Sequence, residues 1–377
     1  MKKYDAFVAG YTCIDMIPDF IIDQTSGSIS DLLRPGKLIE IGRLNFVLGG
    51  AVPNTGLALK KFNKKVFLNG LIGDDSIGKI AKEYLCKYDI SEGIASTRAA
   101  GTAYSIVLAP PGIDRIFLES PGCNEIFDTS FINFNVVSQS RVFHFGYPPL
   151  LRQFFLNNGH QLSQMFSRVQ QMGILTSLDF SLPDPESESG KIGWPEILLR
   201  TLPFVDVFIP SLEEILWIMM PEKYAEICSH SGNSDITNKV PISLIREVGK
   251  LIIDSGVKIL VIKSGERGAY LLTGNVASVN RKIDFILNEK DWNYREFWCN
   301  AYNADASKII NASGAGDVAN AAFLGAILNG ETPELALKFA ALAGRNNLYC
   351  HNIYSDLHDW QSMEEEIKDV SNDIIYF

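Results

Sequence analysis

Near the C-terminal end of the chain three small residues and an acid stand together, Gly314-Ala315-Gly316-Asp317, running straight into the apolar stretch Val318 to Leu328. Small residues let the main chain turn tightly. A helix that starts there leaves its first peptide N–H groups without intrahelical partners, so the amides of Gly314, Ala315 and Gly316 make a cradle for an anion. A carboxylate at the mouth of such a cradle repels the anion unless its task is to take a proton from whatever attacks it. Asp317 therefore reads as a general base. The same four residues also fit an ordinary turn with Asp317 as a helix cap, and the rest of the chain has to decide between the two.

Other polar residues fall where an α/β sheet could bring them together. Asp15 lies five residues past Gly10, which ends a first apolar strand, Ala6 to Ala9, on the side where open α/β sheets bind ligands. Gly49-Gly50 permits close approach of a ligand to the backbone, Pro53 suits the first turn of a helix, and Asn54 can offer an amide to hydroxyls. The segment Gly73 to Lys79 imitates a phosphate-binding P-loop, but Ile80 stands where Ser or Thr should hold magnesium and Asp74 and Asp75 would repel phosphate. That possibility is rejected. Five aromatic residues, Trp292, Tyr294, Phe297, Trp298 and Tyr302, crowd a stretch with little helical period. They could stack on a base or sugar, or simply pack as a loop.

These groups need a scaffold. Strand-like runs at Lys65 to Ile72, Ser140 to Gly146, Gly173 to Asp179, Val205 to Ile209 and Val257 to Ile262 alternate with helical stretches, which predicts a mostly parallel sheet with helices on both faces. Several of these strands end in polar residues, Asp179, Ser211 to Glu214 and Lys263 to Gly268, so those ends should line one edge. Residues 19 to 46 and 98 to 125 alternate like exposed strands instead, around a Pro-Pro-Gly turn. Inserted into a βα series, they predict a small β-sheet lid over the ligand edge, with Asn124 facing the site.

Composition narrows the class. In 377 residues, 46% are hydrophobic and 21% charged, as in a well-packed globule. The net charge of −10 argues against general binding to nucleic acid or a membrane surface. The apolar run after Met1 is too short for a signal-peptide core or a membrane span, and the six scattered cysteines form no C-x-x-C pair. A cytoplasmic protein with reduced thiols is expected. His144, inside an apolar run, reads as a core residue.

Taken together, Gly49-Gly50 with Asn54, then Gly73, Asp75 and Gly78, then Gly314 to Asp317, resemble in type and order the signatures of the ribokinase-like, or PfkB, carbohydrate kinases. The resemblance runs from residue 6 to about residue 345. It implies that residues 1–377 form a single ribokinase-like domain: a Rossmann-like, doubly wound α/β sheet with lid strands inserted roughly within 11–48 and 98–125. It implies transfer of the γ-phosphoryl group of ATP, with Mg2+, to a hydroxyl of a sugar-like molecule. Asp317 then matches the family's base, and Asp15, Gly49, Gly50, Asn54 and Asn124 its acceptor-binding positions. Gly265 and Gly268 match a turn near the nucleotide, and Glu214 a residue that holds magnesium through water.

Three positions depart from the family pattern. Ser211 and Lys263 replace the usual Asn and Thr on the nucleotide side, and Asn311 replaces an Asp. A nucleoside kinase of the same fold and a catalytically idle sugar-binding relative are the alternatives. No nucleic-acid or membrane partner is expected, and lid strands with free edges suggest a homodimer through the lid.

Overall fold

The computed structural model describes residues 2–21, 32–110, 116–231, 236–310, 312–370 and 372–377. Asn311 lies outside them, as do Pro111 and Gly112 of the lid turn. In chain order the strands are β1 (Tyr4–Gly10), β2 (Cys13–Phe20), β3 (Ile41–Gly49), β4 (Val66–Gly73), β5 (Ile94–Thr97), β6 (Tyr104–Leu108) and β7 (Ile116–Ser120). They continue with β8 (Ser140–Gly146), β9 (Leu175–Leu178), β10 (Val207–Phe208), β11 (Ile259–Lys263), β12 (Ala269–Thr273), β13 (Glu296–Cys299) and β14 (Ile374–Tyr376).

The main sheet has the order β14-β13-β12-β11-β10-β9-β8-β1-β4-β5. From β5 to β11 all neighbours are parallel, and β12 to β14 extend the sheet antiparallel. Strands in this parallel part read as unbroken apolar runs because both faces are covered. Successive side chains point to opposite faces. Ala6 and Val8 of β1 thus join one apolar layer, with helices Ala51–Lys61, Ala315–Asn329 and Pro333–Asn347. Phe7 and Ala9 join the other, with Arg152–Gln171, Trp194–Thr201, Leu212–Met219 and Ile242–Asp254.

The chain leaves β1 toward β4 on one side and later returns to β8 on the other, so the ends of β1 and β8 mark the point where the winding reverses. The two strands finish as a glycine pair, Gly10 against Gly146. A Cβ on Gly10, whose φ is +127°, would lie 1.8 Å from the Gly146 oxygen, so the close approach requires glycine.

The second sheet, β3-β2-β6-β7, is a separate layer. Its tie to the main sheet is the Gly73 to Gly78 segment. Asp75 caps the helix Ser76–Lys87 through the Gly78 amide at 2.7 Å and also takes the Thr102 hydroxyl at 2.7 Å and amide at 2.8 Å. The P-loop look-alike is thus a hinge staple at the root of β6.

One stretch differs from the sequence-based expectation. Most of the aromatic-rich segment is core: Trp292, Phe297, Trp298 and Tyr302 are buried, the Trp298 indole donates to the Arg267 carbonyl at 3.1 Å, and only Tyr294 is exposed. β13 there pairs with β12 and β14, which gives these rings a sheet to pack on. In the helix Trp360–Asp369, Glu366 is tied to the neighbouring helix. It binds the Arg345 guanidinium and takes the Asn346 amide at 3.1 Å. Among the described residues no helix is long and apolar enough to cross a membrane.

Candidate active site

The helix Ala315–Asn329 is apolar on nearly all sides and correspondingly buried, and its N-terminus opens at the sheet edge. Gly314 is its N-cap with φ +74°, a conformation that favours glycine, and a Cβ there would sit 3.2 Å from the Asn54 amide nitrogen. Asp317 is in the first turn and 2% exposed. One carboxylate oxygen accepts from Asn54 Nδ2 at 2.9 Å and the other from the Tyr147 hydroxyl at 2.5 Å. Asn54 is delivered by the helix Ala51–Lys61, which Gly50 starts with φ +89°, and Tyr147 directly follows β8. Burial raises the Asp317 carboxyl to about 6, and the nearby charge of Asp179 adds to this. Tyr147, Asn54 and Lys263 act against it. A carboxylate poised this way is mostly ionised at neutral pH and still basic enough to accept a proton.

Of the three cradle amides, that of Ala315 donates to the Ala312 carbonyl at 3.3 Å. No main-chain carbonyl among the described residues takes the amides of Gly314 or Gly316. The cradle therefore has two open donors and one shared.

Beside it lies a charged cluster. Lys263 closes β11, and its Nζ is 2.9 Å from Asp179 Oδ1 and 3.1 Å from Asn320 Oδ1. Burial opposes the charge on Lys263, but the carboxylates of Asp179, Glu214 and Asp317 hold its pKa above the ordinary value. Ser211 and Glu214 form a capping box for the helix Leu212–Met219: Glu214 N–H donates to Ser211 Oγ at 3.3 Å, and Ser211 N–H donates to Glu214 Oε2 at 2.7 Å. Burial pushes the Glu214 carboxyl up to about 7, against the pull of Lys263. Gly265 opens the turn after β11 with φ +53° and has no atom within 4 Å of a would-be Cβ. Gly268, at φ +107°, passes so close to Cys299 that a Cβ would lie 2.0 Å from its oxygen.

Across the cleft the lid carries a row of polar groups. Asp15 on β2 pairs in register with Ser105 on β6, and Ser105 with Glu119 on β7. Cross-strand partners share a sheet face. The Asp15 carboxylate lies over Gly49, where a Cβ would come within 2.6 Å of it. Burial lifts its pKa to about 6, with the Cys13 thiol and Ser105 opposing and Glu119 adding. Glu119 also accepts from the Tyr11 hydroxyl, and the Tyr11 ring stands 6.3 Å from that of Tyr147.

Asp317, Asn54 and the cradle thus converge with Lys263 and Glu214, while Asp15 and Gly49 face them from the lid. Asn124 has a different task. Fully buried, it donates to the Thr12 carbonyl at 3.0 Å and accepts from the Thr12 amide at 3.5 Å, which clamps the turn between β1 and β2.

Sequence reasoning missed Tyr147, Asn320, Glu119 and the partnership of Asp179 with Lys263. Only Asp179 had a signal, an acid at a strand end. The capping box was legible in the Ser-x-x-Glu spacing of Ser211 and Glu214. His144 is buried, as expected, with Nδ1 2.9 Å from Ser177 Oγ.

The family model described as pfkB family carbohydrate kinase matches residues 8–360. The chain is 23% identical over 262 residues to a probable fructokinase-4 of Arabidopsis thaliana, spanning 69% of this chain and 70% of that one. Its fold is similar to the ribokinase of Thermotoga maritima, with a TM-score of 0.66 and 18% identity over 97% of this chain and 99% of the other. It is also similar to the Arabidopsis thaliana ribokinase complexed with ribose and ATP, with a TM-score of 0.67 and 17% identity over 96% and 98%.

Proposed function

The chain belongs to the pfkB family of carbohydrate kinases, and on that premise we propose that it transfers the γ-phosphoryl group of ATP to a hydroxyl of a sugar-like molecule. Asp317, held between Asn54 and Tyr147 at the mouth of a helix, is the observation that carries the proposal. The acceptor lies between the lid and the sheet edge, hydrogen-bonded by Asp15 and Asn54 and close to the backbone at Gly49 and Gly50. Asp317 takes the hydroxyl proton. The new bond forms between the acceptor oxygen and the γ-phosphorus, and the bond to the oxygen shared with the β-phosphate breaks, releasing ADP. Such a transfer needs alignment and cancellation of charge more than covalent chemistry, and the amides at Gly314 to Gly316 provide part of both.

The nucleotide runs along the turn from Lys263 through Gly265 to Gly268, with Ser211 at its side. Magnesium suits the donor set. Among the described residues no three acidic, histidine or cysteine side chains form a cage of their own, and this ion keeps several waters and is held by one or two carboxylates plus phosphate oxygens. Glu214 would hold it through water. Bound there, the ion would neutralise phosphate charge.

The whole chain acts as one kinase unit, with the four-stranded sheet as a lid that excludes water as a competing acceptor. The lid also supports a homodimer. One of its faces carries an apolar hollow of about 260 Å³ lined by Met16, Phe20, Ile41, Leu44, Ile106 and Leu108.

A panel of sugars, polyols and nucleosides scored by ADP release tests the proposal. ADP release that depends on a sugar or polyol is expected, with little release when no acceptor is present. Release indifferent to every acceptor would contradict it, and a nucleoside as the best acceptor would change the substrate class.

A further inference from the structure

The geometry points to Lys263 as the cation that meets the migrating phosphoryl group in the transition state, held in place by Asp179 and Asn320. This rests on the kinase function proposed above and assigns a charge to one point within it. An ammonium has three donor hydrogens. Two are taken, by Asp179 Oδ1 at 2.9 Å and Asn320 Oδ1 at 3.1 Å. The group lies against the first turn of the cradle helix, since a Cβ on Gly316 would come within 3.4 Å of Nζ. The third hydrogen therefore has the cradle itself within reach.

The surroundings keep the ammonium there. Lys263 is 16% exposed and Asp179 2%, so the pair cannot swing into water. Asn320 stands one turn after Asp317 on the same helix and is fully buried. With its oxygen on the ammonium, its own Nδ2 is left without a partner among the described residues. Leaving a buried donor unpaired is costly, so the amide orientation is explained by the ammonium, or by an acceptor that arrives with substrate. Charge balance leads to the same place. Asp179, Glu214 and Asp317 all act on Lys263, and its charge offsets these carboxylates where a phosphoryl group enters the cradle.

A lysine that only neutralises Asp179 would look similar in a single substitution, because removing one partner of a buried pair destabilises the fold. The test therefore compares Lys263→Met with the double variant Lys263→Met/Asp179→Asn, in which the carboxylate hydrogen-bonded to the ammonium is neutralised as well. Turnover with the best acceptor, affinity for ADP and melting temperature are measured for each. Removing one preorganised electrostatic group typically lowers kcat by about 10²–10³. That loss is expected in both variants and should exceed any loss of ADP affinity, with the melting temperature restored in the double variant. A second arm uses Lys263→Ala, where added methylammonium should recover part of the turnover.

Asp179→Asn alone should lower kcat while leaving the KM for ATP in place, as befits a positioning residue. Turnover near wild type in the double variant would overturn the assignment and leave the kinase function standing. A wild-type protein that turns over no acceptor would overturn both.

Discussion

At the scale of single residues, function depends on how the carboxyl of Asp317 is tuned. Burial raises it to about 6 while the Tyr147 hydroxyl and Asn54 amide lower it. A base must be ionised to accept a proton, so kcat should be level above that value and fall about tenfold per pH unit below it. Tyr147→Phe removes a bond that favours the ionised form. The acid limb of the pH–rate profile should then move to higher pH, and a profile that stays in place or moves down would show that Tyr147 does not act on this group. Neither contact could be read in the sequence, because Asn54 and Tyr147 lie 263 and 170 residues from Asp317 in the chain. What the sequence does show is the helix mouth, since turn chemistry is local.

At the scale of elements, the site depends on close approaches that only glycine allows. Gly10→Ala would drive a Cβ against the Gly146 oxygen at the paired ends of β1 and β8. Overpacking of this kind costs about 1–3 kcal/mol or more, and a lowered denaturation midpoint in urea is expected. An unchanged midpoint would mean that the two strand ends are not locked. Gly314→Ala would push on the Asn54 amide from a left-handed N-cap, so it should lower kcat more than it lowers stability. The parallel strands were legible because apolar runs alternate with helical periods. The antiparallel extension β12 to β14 was not, since the aromatic rings between residues 292 and 302 carry no period of their own and only the sheet they pack on explains them. Asn124 was likewise misplaced: strand alternation indicates that a polar residue lies near the lid, but not that its amide is spent on the Thr12 main chain.

At the scale of the whole molecule, two layers of different kinds meet over one cleft. The main sheet brings Asp317, the helix mouth and Lys263, and the lid brings Asp15, Ser105 and Glu119 in a cross-strand row. Order and chemistry along the chain were enough to expect this division, while the register that aligns the lid row was not. Ile41 and Leu44 are 45% and 42% exposed on the apolar side of the lid. Ile41→Lys with Leu44→Lys should turn the proposed dimer into a monomer in sedimentation velocity. A sedimentation coefficient identical to that of the wild type would remove the lid from assembly.

The central claim is that Asp317 deprotonates the acceptor, and the steady-state turnover of Asp317→Asn tests it most directly. The asparagine keeps the size and the hydrogen-bonding reach of the side chain but cannot accept the proton, so kcat should fall by about 10²–10⁴ with nucleotide affinity nearly unchanged. A variant that turns over its sugar at the wild-type rate would contradict the claim.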